Sequence, residues 1–212
     1  IYATYLNVMR ADYFDLLYNN LLKNNPMANT KRAQQLLGNF VNVTTGRGGG
    51  QSPKLDMAFN FLSAGLFSPR FVTSRIEYAI GRPLWTGILN DAFEYKRTKV
   101  LPKDMLSARM VIGKEYLRQY GTAAVLLVML DTIPGVDVEY NPRSSSFGKV
   151  RLGDTTYDIL GGINQIYSIL TRSILGEKKT RSGKIKGLRG PEARKFGSET
   201  VGDELVEFGR YK

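Results

Sequence analysis

NVTTGRGGGQSPKLDMAFNFLSAGLFSPRFVTSR, residues 42–75, holds a glycine-rich turn, an apolar helix, a break and the start of a second helix. Leu55, Ala58, Phe59, Leu62, Leu66 and Phe67 recur at three- and four-residue spacing, which gathers them on one helix face that must bury itself. Ser68 suits an N-cap, Pro69 the first helical position, and Phe67 with Val72 the two ends of a hydrophobic staple. The spacing predicts a helix that stops at Phe67, turns a corner at Ser68-Pro69 and restarts at a fixed angle. A chain organised around such a corner is a packing of consecutive helices.

Working outward toward the N-terminus, Tyr2, Tyr5, Leu6, Met9, Tyr13, Leu16, Leu17 and Leu21 lie at helical spacing before Asn24-Asn25-Pro26. Tyrosines in such a row can stack on bases or place phenol tips at the edge of a protein contact; the packing reading is preferred. A second helix is expected after Thr30, with Ala33, Leu36, Leu37 and Phe40 inward, dissolving at Thr44-Thr45-Gly46-Arg47-Gly48-Gly49-Gly50. Three consecutive glycines are costly to hold helical. A phosphate loop would need a preceding buried strand and a lysine followed by Ser or Thr, but Lys54 is followed by Leu55, so the loop reads as a connector.

Toward the C-terminus, Phe71, Val72, Arg75, Ile76, Ala79 and Ile80 make a short helix closed by Gly81 and Pro83. Leu84, Trp85, Ile88, Leu89, Ala92 and Phe93 form another apolar stripe. Met105, Ala108, Met110, Ile112, Tyr116 and Leu117 continue the helical period into Ala123–Leu130, apolar all round. A run of about ten apolar residues is half of the roughly twenty that span a bilayer, so a buried core helix is expected there. Residues 148–160 carry the β signal: a Gly153-Asp154 turn pairs Leu152 with Thr155, Val150 with Tyr157 and Lys149 with Asp158. That register sets Val150, Leu152, Tyr157 and Ile159 on one face, covering an apolar surface. Gly161-Gly162 leads into a helix with Ile163, Ile166, Tyr167, Leu170 and Ile174 inward, ending at Gly176.

Beyond Gly176 the composition shifts. Residues 171–197 hold nine basic side chains (Arg172, Lys178, Lys179, Arg181, Lys184, Lys186, Arg189, Arg194 and Lys195) against two acidic ones. Interleaved with glycine and serine, such a segment is expected to be flexible. It suits non-specific contact with a nucleic-acid backbone, and the alternative is a solvated linker. Glu199, Asp203, Glu204 and Glu207 around Leu205, Val206 and Phe208 read as a short docking segment. The domain division expected is a helical body with a β-hairpin over 1–176 and a basic tail over 177–212.

The 212 residues are 42% hydrophobic, enough to build a core, and 30 basic against 19 acidic residues leave a net charge of +11. Such a charge favours a polyanionic partner. With neither cysteine nor histidine, the chain has no disulfide framework, no thiolate metal site and none of the commonest catalytic bases. Asp131, Asp137 and Glu139 are the nearest thing to a carboxylate cluster, and they read as surface charges rather than a cation site. No catalytic residue, cofactor-binding residue or metal ligand is assigned, and no enzyme activity is expected. A chain starting at Ile1, without a charged n-region and cleavage site, is expected to be a piece of a longer protein.

Three stretches together resemble one group of proteins: residues 42–48 (NVTTGRG), residues 67–75 (FSPRFVTSR), and residues 147–155 (FGKVRLGDT) continuing through 158–162 (DILGG) to 176–184 (GEKKTRSGK). They look like the C-terminal region of the very large polyvalent proteins of tailed bacteriophages, which are packaged in the virion and delivered to the host with the genome. The resemblance implies a virion ejection protein whose partners are further copies of itself or other phage ejection and tail proteins, viral DNA, and the host membrane. Its place would be the virion and then the host envelope, in the periplasm. The alternative is a nucleic-acid-binding accessory domain of a larger injected phage enzyme, such as a virion RNA polymerase. No catalytic residues carry over from the group.

Overall fold

The computed structural model describes residues 2–48, 69–180 and 182–188. The helix expected over Leu55–Phe67, its corner at Ser68 and the docking segment near Leu205 lie outside the described residues. Within them the chain is mainly α-helical, with one antiparallel sheet of three strands and one of two. The described residues divide into two compact units, 2–48 with 69–120, and 121–180 with 182–188. The boundary between the units falls at Gly121, inside a long helix, whereas the expectation over 1–176 is one body.

The first unit comprises α1 (Tyr2–Asn24), a short 3-10 turn (Pro26–Ala28), α2 (Lys31–Thr44), α3 (Pro69–Ala79), α4 (Arg82–Trp85), α5 (Ile88–Thr98) and the first two-thirds of α6 (Lys103–Asp131). Thr30 caps α2 as expected: its side chain accepts from the Ala33 N–H at 3.2 Å, and its hydroxyl donates to Asp104 at 2.7 Å. Arg10 closes the other end, donating to the Thr45 hydroxyl at 2.8 Å and the Thr45 carbonyl at 3.1 Å, where the helix dipole favours a cation. Leu17, Leu21, Ala33, Leu36, Leu37, Phe40, Ala108 and Ile112 are buried together as the apolar core. Tyr78 and Tyr116 stack at 4.6 Å, and Phe40 and Tyr13 extend the aromatic cluster. Within the tyrosine-rich row of α1, Tyr13 takes a packing role, its hydroxyl donating to Glu115 at 3.2 Å, while Tyr5, Met9 and Leu16 are exposed.

Two stripes face otherwise than the spacing predicts. On α3 the buried residues are Ser74, Glu77 and Tyr78, while Phe71, Ile76 and Ile80 are exposed. The cause is the glycine turn before it: a Cβ on Gly48 would fall 2.3 Å from the Ser74 Cα, so this face of α3 is set by a backbone crossing that admits only small groups. The second stripe breaks at Thr86-Gly87 into α4 and α5, and no residue of α5 is buried. Arg109 pins that break, donating to the carbonyls of Leu84 and Thr86 at 3.0 Å each and pairing with Asp91 at 2.6 Å.

The second unit contains the end of α6, β1 (Val136–Val138), β2 (Val150–Leu152), β3 (Thr155–Tyr157), α7 (Ile163–Leu175), β4 (Glu177–Lys179) and β5 (Ile185–Gly187). The hairpin takes the expected register, Val150 opposite Tyr157 and Leu152 opposite Thr155, and β1 adds a third strand that alternation did not reveal. Only Val150 of the expected apolar face is buried, in a small cluster with Leu127 and Val138; Leu152, Tyr157 and Ile159 are exposed. The end of α6 is likewise not the buried helix expected. Leu127 is covered, but Val125, Leu126, Val128 and Met129 are exposed: among the described residues the three short strands cover one stripe of the helix.

Helix α7 buries Asn164, Ile166, Ser168 and Arg172, whereas Leu170 and Ile174 of the expected stripe are exposed. The polar residues recur every four positions and serve one purpose. Asn164 donates to the Phe147 carbonyl at 2.6 Å, Ser168 to the Pro142 carbonyl at 2.8 Å, and Arg172 to the Arg143 carbonyl at 2.9 Å. The segment between β1 and β2 carries carbonyls that the sheet does not satisfy, and a buried carbonyl needs a donor. Gly148, at φ 66°, lets that segment approach α7, with a built Cβ 3.2 Å from that of Asn164.

Candidate nucleic-acid interface

The expected flexible tail starts instead with a β-hairpin. Strand β4 pairs antiparallel with β5, setting Glu177 opposite Gly187, Lys178 opposite Lys186 and Lys179 opposite Ile185. The turn is held by the Thr180 N–H donating to the Lys184 carbonyl at 2.8 Å and by Gly183 at φ 82°. The hairpin is tied down at its base, where the Leu188 N–H donates to the Gly176 carbonyl at 2.7 Å and the Leu188 side chain is buried. Arg143 pairs with Glu177 at 2.9 Å, and the Lys179 N–H donates to the Arg143 carbonyl at 3.0 Å. A segment too polar to form its own core is thus ordered by main-chain bonds to its neighbours, which composition does not report.

The nine basic residues therefore separate into groups. Arg172 is 4% exposed and serves the fold, so it leaves the list of residues available to DNA. Lys179 is engaged by Glu139 at 2.6 Å. Burial pushes the Glu139 carboxyl up, but the Lys179 hydrogen bond, the Asn141 N–H, the Lys179 charge and Ser144 outweigh it and hold the group below the ordinary carboxylate range. Lys178 and Lys186 sit side by side across the ladder, with Lys184 exposed at the turn. Arg181, Arg189, Arg194 and Lys195 lie outside the described residues.

Sequence reasoning did not bring β2 and this hairpin together. Lys149, Arg151 and Lys179 line one cleft of about 520 Å³ with Asp137, Glu139 and Asp154, so the cleft itself carries mixed charge. The basic character lies on the hairpin's Lys178, Lys184 and Lys186. Asp137 faces Arg151 across the β1–β2 ladder, and among the described residues no three acidic side chains gather as a metal site. No protein-family profile, curated protein or solved structure matches the chain.

Proposed function

We propose that this chain is a segment of a bacteriophage internal virion protein, assembling with further copies of itself or with other ejection and tail proteins into a conduit that accompanies genome delivery across the host envelope. The observation that carries the reading is apolar surface left uncovered on the helices. Leu89 and Phe93, one turn apart on α5, are 73% and 69% exposed, and Leu117 on α6 is 76% exposed. Monomeric proteins scatter single apolar residues over their surface, but rows of them on one helix face mark contact with a partner. Both units carry such rows: Val125, Val128 and Met129 near the end of α6 and Ile174 on α7 belong to the second. The resemblance to phage polyvalent proteins supplies the virion, and the net charge of +11 suits passage alongside DNA. Among the described residues no helix is long and apolar enough to cross a membrane. Its work in this reading is assembly rather than catalysis.

Electron microscopy of the purified chain, with and without lipid vesicles, tests the proposal: rings or tubes are expected, and dispersed particles in both conditions would contradict it. The second reading, a nucleic-acid-binding accessory domain of an injected phage enzyme, is favoured by the lysines of the β4–β5 hairpin. Deleting residues 177–212 is a poor discriminator because Leu188 and β4 are built into the second unit. The triple substitution Lys178→Gln, Lys184→Gln, Lys186→Gln leaves the backbone pairing of the hairpin available and is checked for folding by circular dichroism: loss of DNA binding in the folded variant, with no assembly in the parent chain, supports the accessory domain.

A further inference from the structure

The first unit contains a cleft of about 520 Å³ lined by Gln35, Asn39 and Asn42 from α2, Arg47 from the glycine turn, Arg70 from α3 and Arg82 from α4. Three arginines from three separate segments line it, and Glu77 is the acidic residue on the lining. Glu77 is 4% exposed and pairs with Arg82, so it holds that guanidinium at the cleft. The placement of Arg47 is built, not incidental. Gly46 at φ 86° would set a Cβ 3.1 Å from the Phe71 ring, and Gly48 lies against the Ser74 backbone, so the glycines on both sides of the exposed Arg47 hold its turn against α3. The backbone itself is committed elsewhere, since the N–H groups of Thr45, Gly46 and Arg47 turn back to the carbonyls of Val41, Val43 and Asn42. Anion recognition at this turn therefore falls to side chains, which separates it from a phosphate loop.

Opposite the arginines stands a ladder of amides. Gln35, Asn39 and Asn42 are four and three positions apart on α2, on the face away from the core residues Leu36, Leu37 and Phe40. An amide donates and accepts side by side, the pattern that pairs with a base edge, and a guanidinium fork matches a phosphate. A cleft of this volume lies in the range of small-ligand sites, roughly 300–1,000 Å³, and admits a splayed nucleotide but not a stacked duplex.

We propose that this cleft is a single-stranded nucleic-acid site, with Arg47, Arg70 and Arg82 on phosphates and Gln35, Asn39 and Asn42 on base edges. The site deepens the DNA-contact part of the reading above and is independent of self-assembly. A smooth path for DNA needs weak, salt-sensitive contacts, and three arginines supply that.

Binding of a short fluorescent oligodeoxythymidylate, followed by anisotropy against salt, tests it on the full chain. Each phosphate contact on a single strand contributes about 0.7 to the slope of log affinity against log salt, so Arg47→Gln lowers the slope by about 0.7 and Arg47→Gln/Arg70→Gln by about 1.4. Arg70 has contacts of its own within the fold, so the exposed Arg47 is the deciding variant, with circular dichroism to show that it folds. The Lys178→Gln/Lys184→Gln/Lys186→Gln chain must keep the Arg47 effect. Asn39→Ala/Asn42→Ala leaves the slope alone and changes the preference between oligothymidylate and oligoadenylate by at least about fivefold. An unchanged slope in folded Arg47→Gln overturns the site, as does equal competition by deoxynucleoside monophosphate at the same phosphate concentration, which would assign the cleft to free nucleotides. Assembly measured on the same variants distinguishes the two claims: failure here with assembly intact leaves the ejection reading standing.

Discussion

The two units are held together by different means. In the first, α1, α2 and α6 close over Leu17, Leu21, Leu37, Phe40 and Ile112, all fully buried, while polar side chains close helix ends at Thr30 and Thr45 and bridge helices at Tyr13–Glu115. In the second, the apolar cluster among the described residues is Leu127, Val138 and Val150, and α7 is fastened by Asn164, Ser168 and Arg172 to the carbonyls of Phe147, Pro142 and Arg143. Apolar burial is non-directional and tolerates rearrangement, whereas a set of donors aimed at fixed carbonyls specifies one geometry at modest net stability. Among the described residues, apolar contact defines the first unit and directed donors define much of the second, so the two respond to different substitutions.

Truncating the first core should give the largest effect. Phe40→Ala is expected to cost about 3–5 kcal/mol, read by chemical denaturation as loss of the first unit's transition. Arg172→Gln, on the other side of the comparison, should destabilise the second unit by about 2 kcal/mol, since it removes a charged donor from a buried carbonyl. Its salt slope for DNA should stay at the parent value; a fall in slope without loss of stability would return Arg172 to the nucleic-acid interface. Thr30→Ala should cost about 1 kcal/mol through the lost cap of α2.

The remaining effects come from pH, and the carboxylates act on both units from the acid side. Burial pushes Asp104 up, but the Thr30 hydroxyl, the Met105 N–H and Arg32 more than offset it and hold the carboxyl below its ordinary value. Glu139 is depressed likewise in the second unit. A depressed carboxyl stabilises the fold above its unfolded value, about 4, and that contribution is lost as pH falls through the folded one. Thermal melts should drop below about pH 4 in both units. Tyr13 acts at the other end: burial first, then Glu115, raise it from 10.0 to about 12, so its contribution is complete below pH 10.0 and lost as pH climbs to about 12. Tyr13→Phe should remove that alkaline loss.

The same contrast explains what the sequence made legible. Helix α2 has a cap at Thr30 and an unbroken inward row from Ala33 to Phe40, and both are found where period and capping rules put them. The β2–β3 register followed from a two-residue turn. Hydrophobic spacing failed where something other than apolar contact chose the buried face. On α3 a glycine crossing demanded Ser74, and on α7 unsatisfied carbonyls demanded Asn164, Ser168 and Arg172. The four-residue recurrence of those polar residues was visible, but their acceptors lie about twenty to thirty positions upstream, and no local pattern joins them. The arginine cleft was hidden for a related reason, because Arg47, Arg70 and Arg82 are brought together only by the packing of α2, α3 and α4.

Assembly through uncovered apolar helix faces is read by sedimentation velocity of the full chain over a range of concentrations. An oligomer should appear whose share rises with concentration and which disperses in Leu89→Glu/Phe93→Glu, a change at exposed positions of α5. A single monomeric boundary at every concentration, with and without DNA, would contradict it.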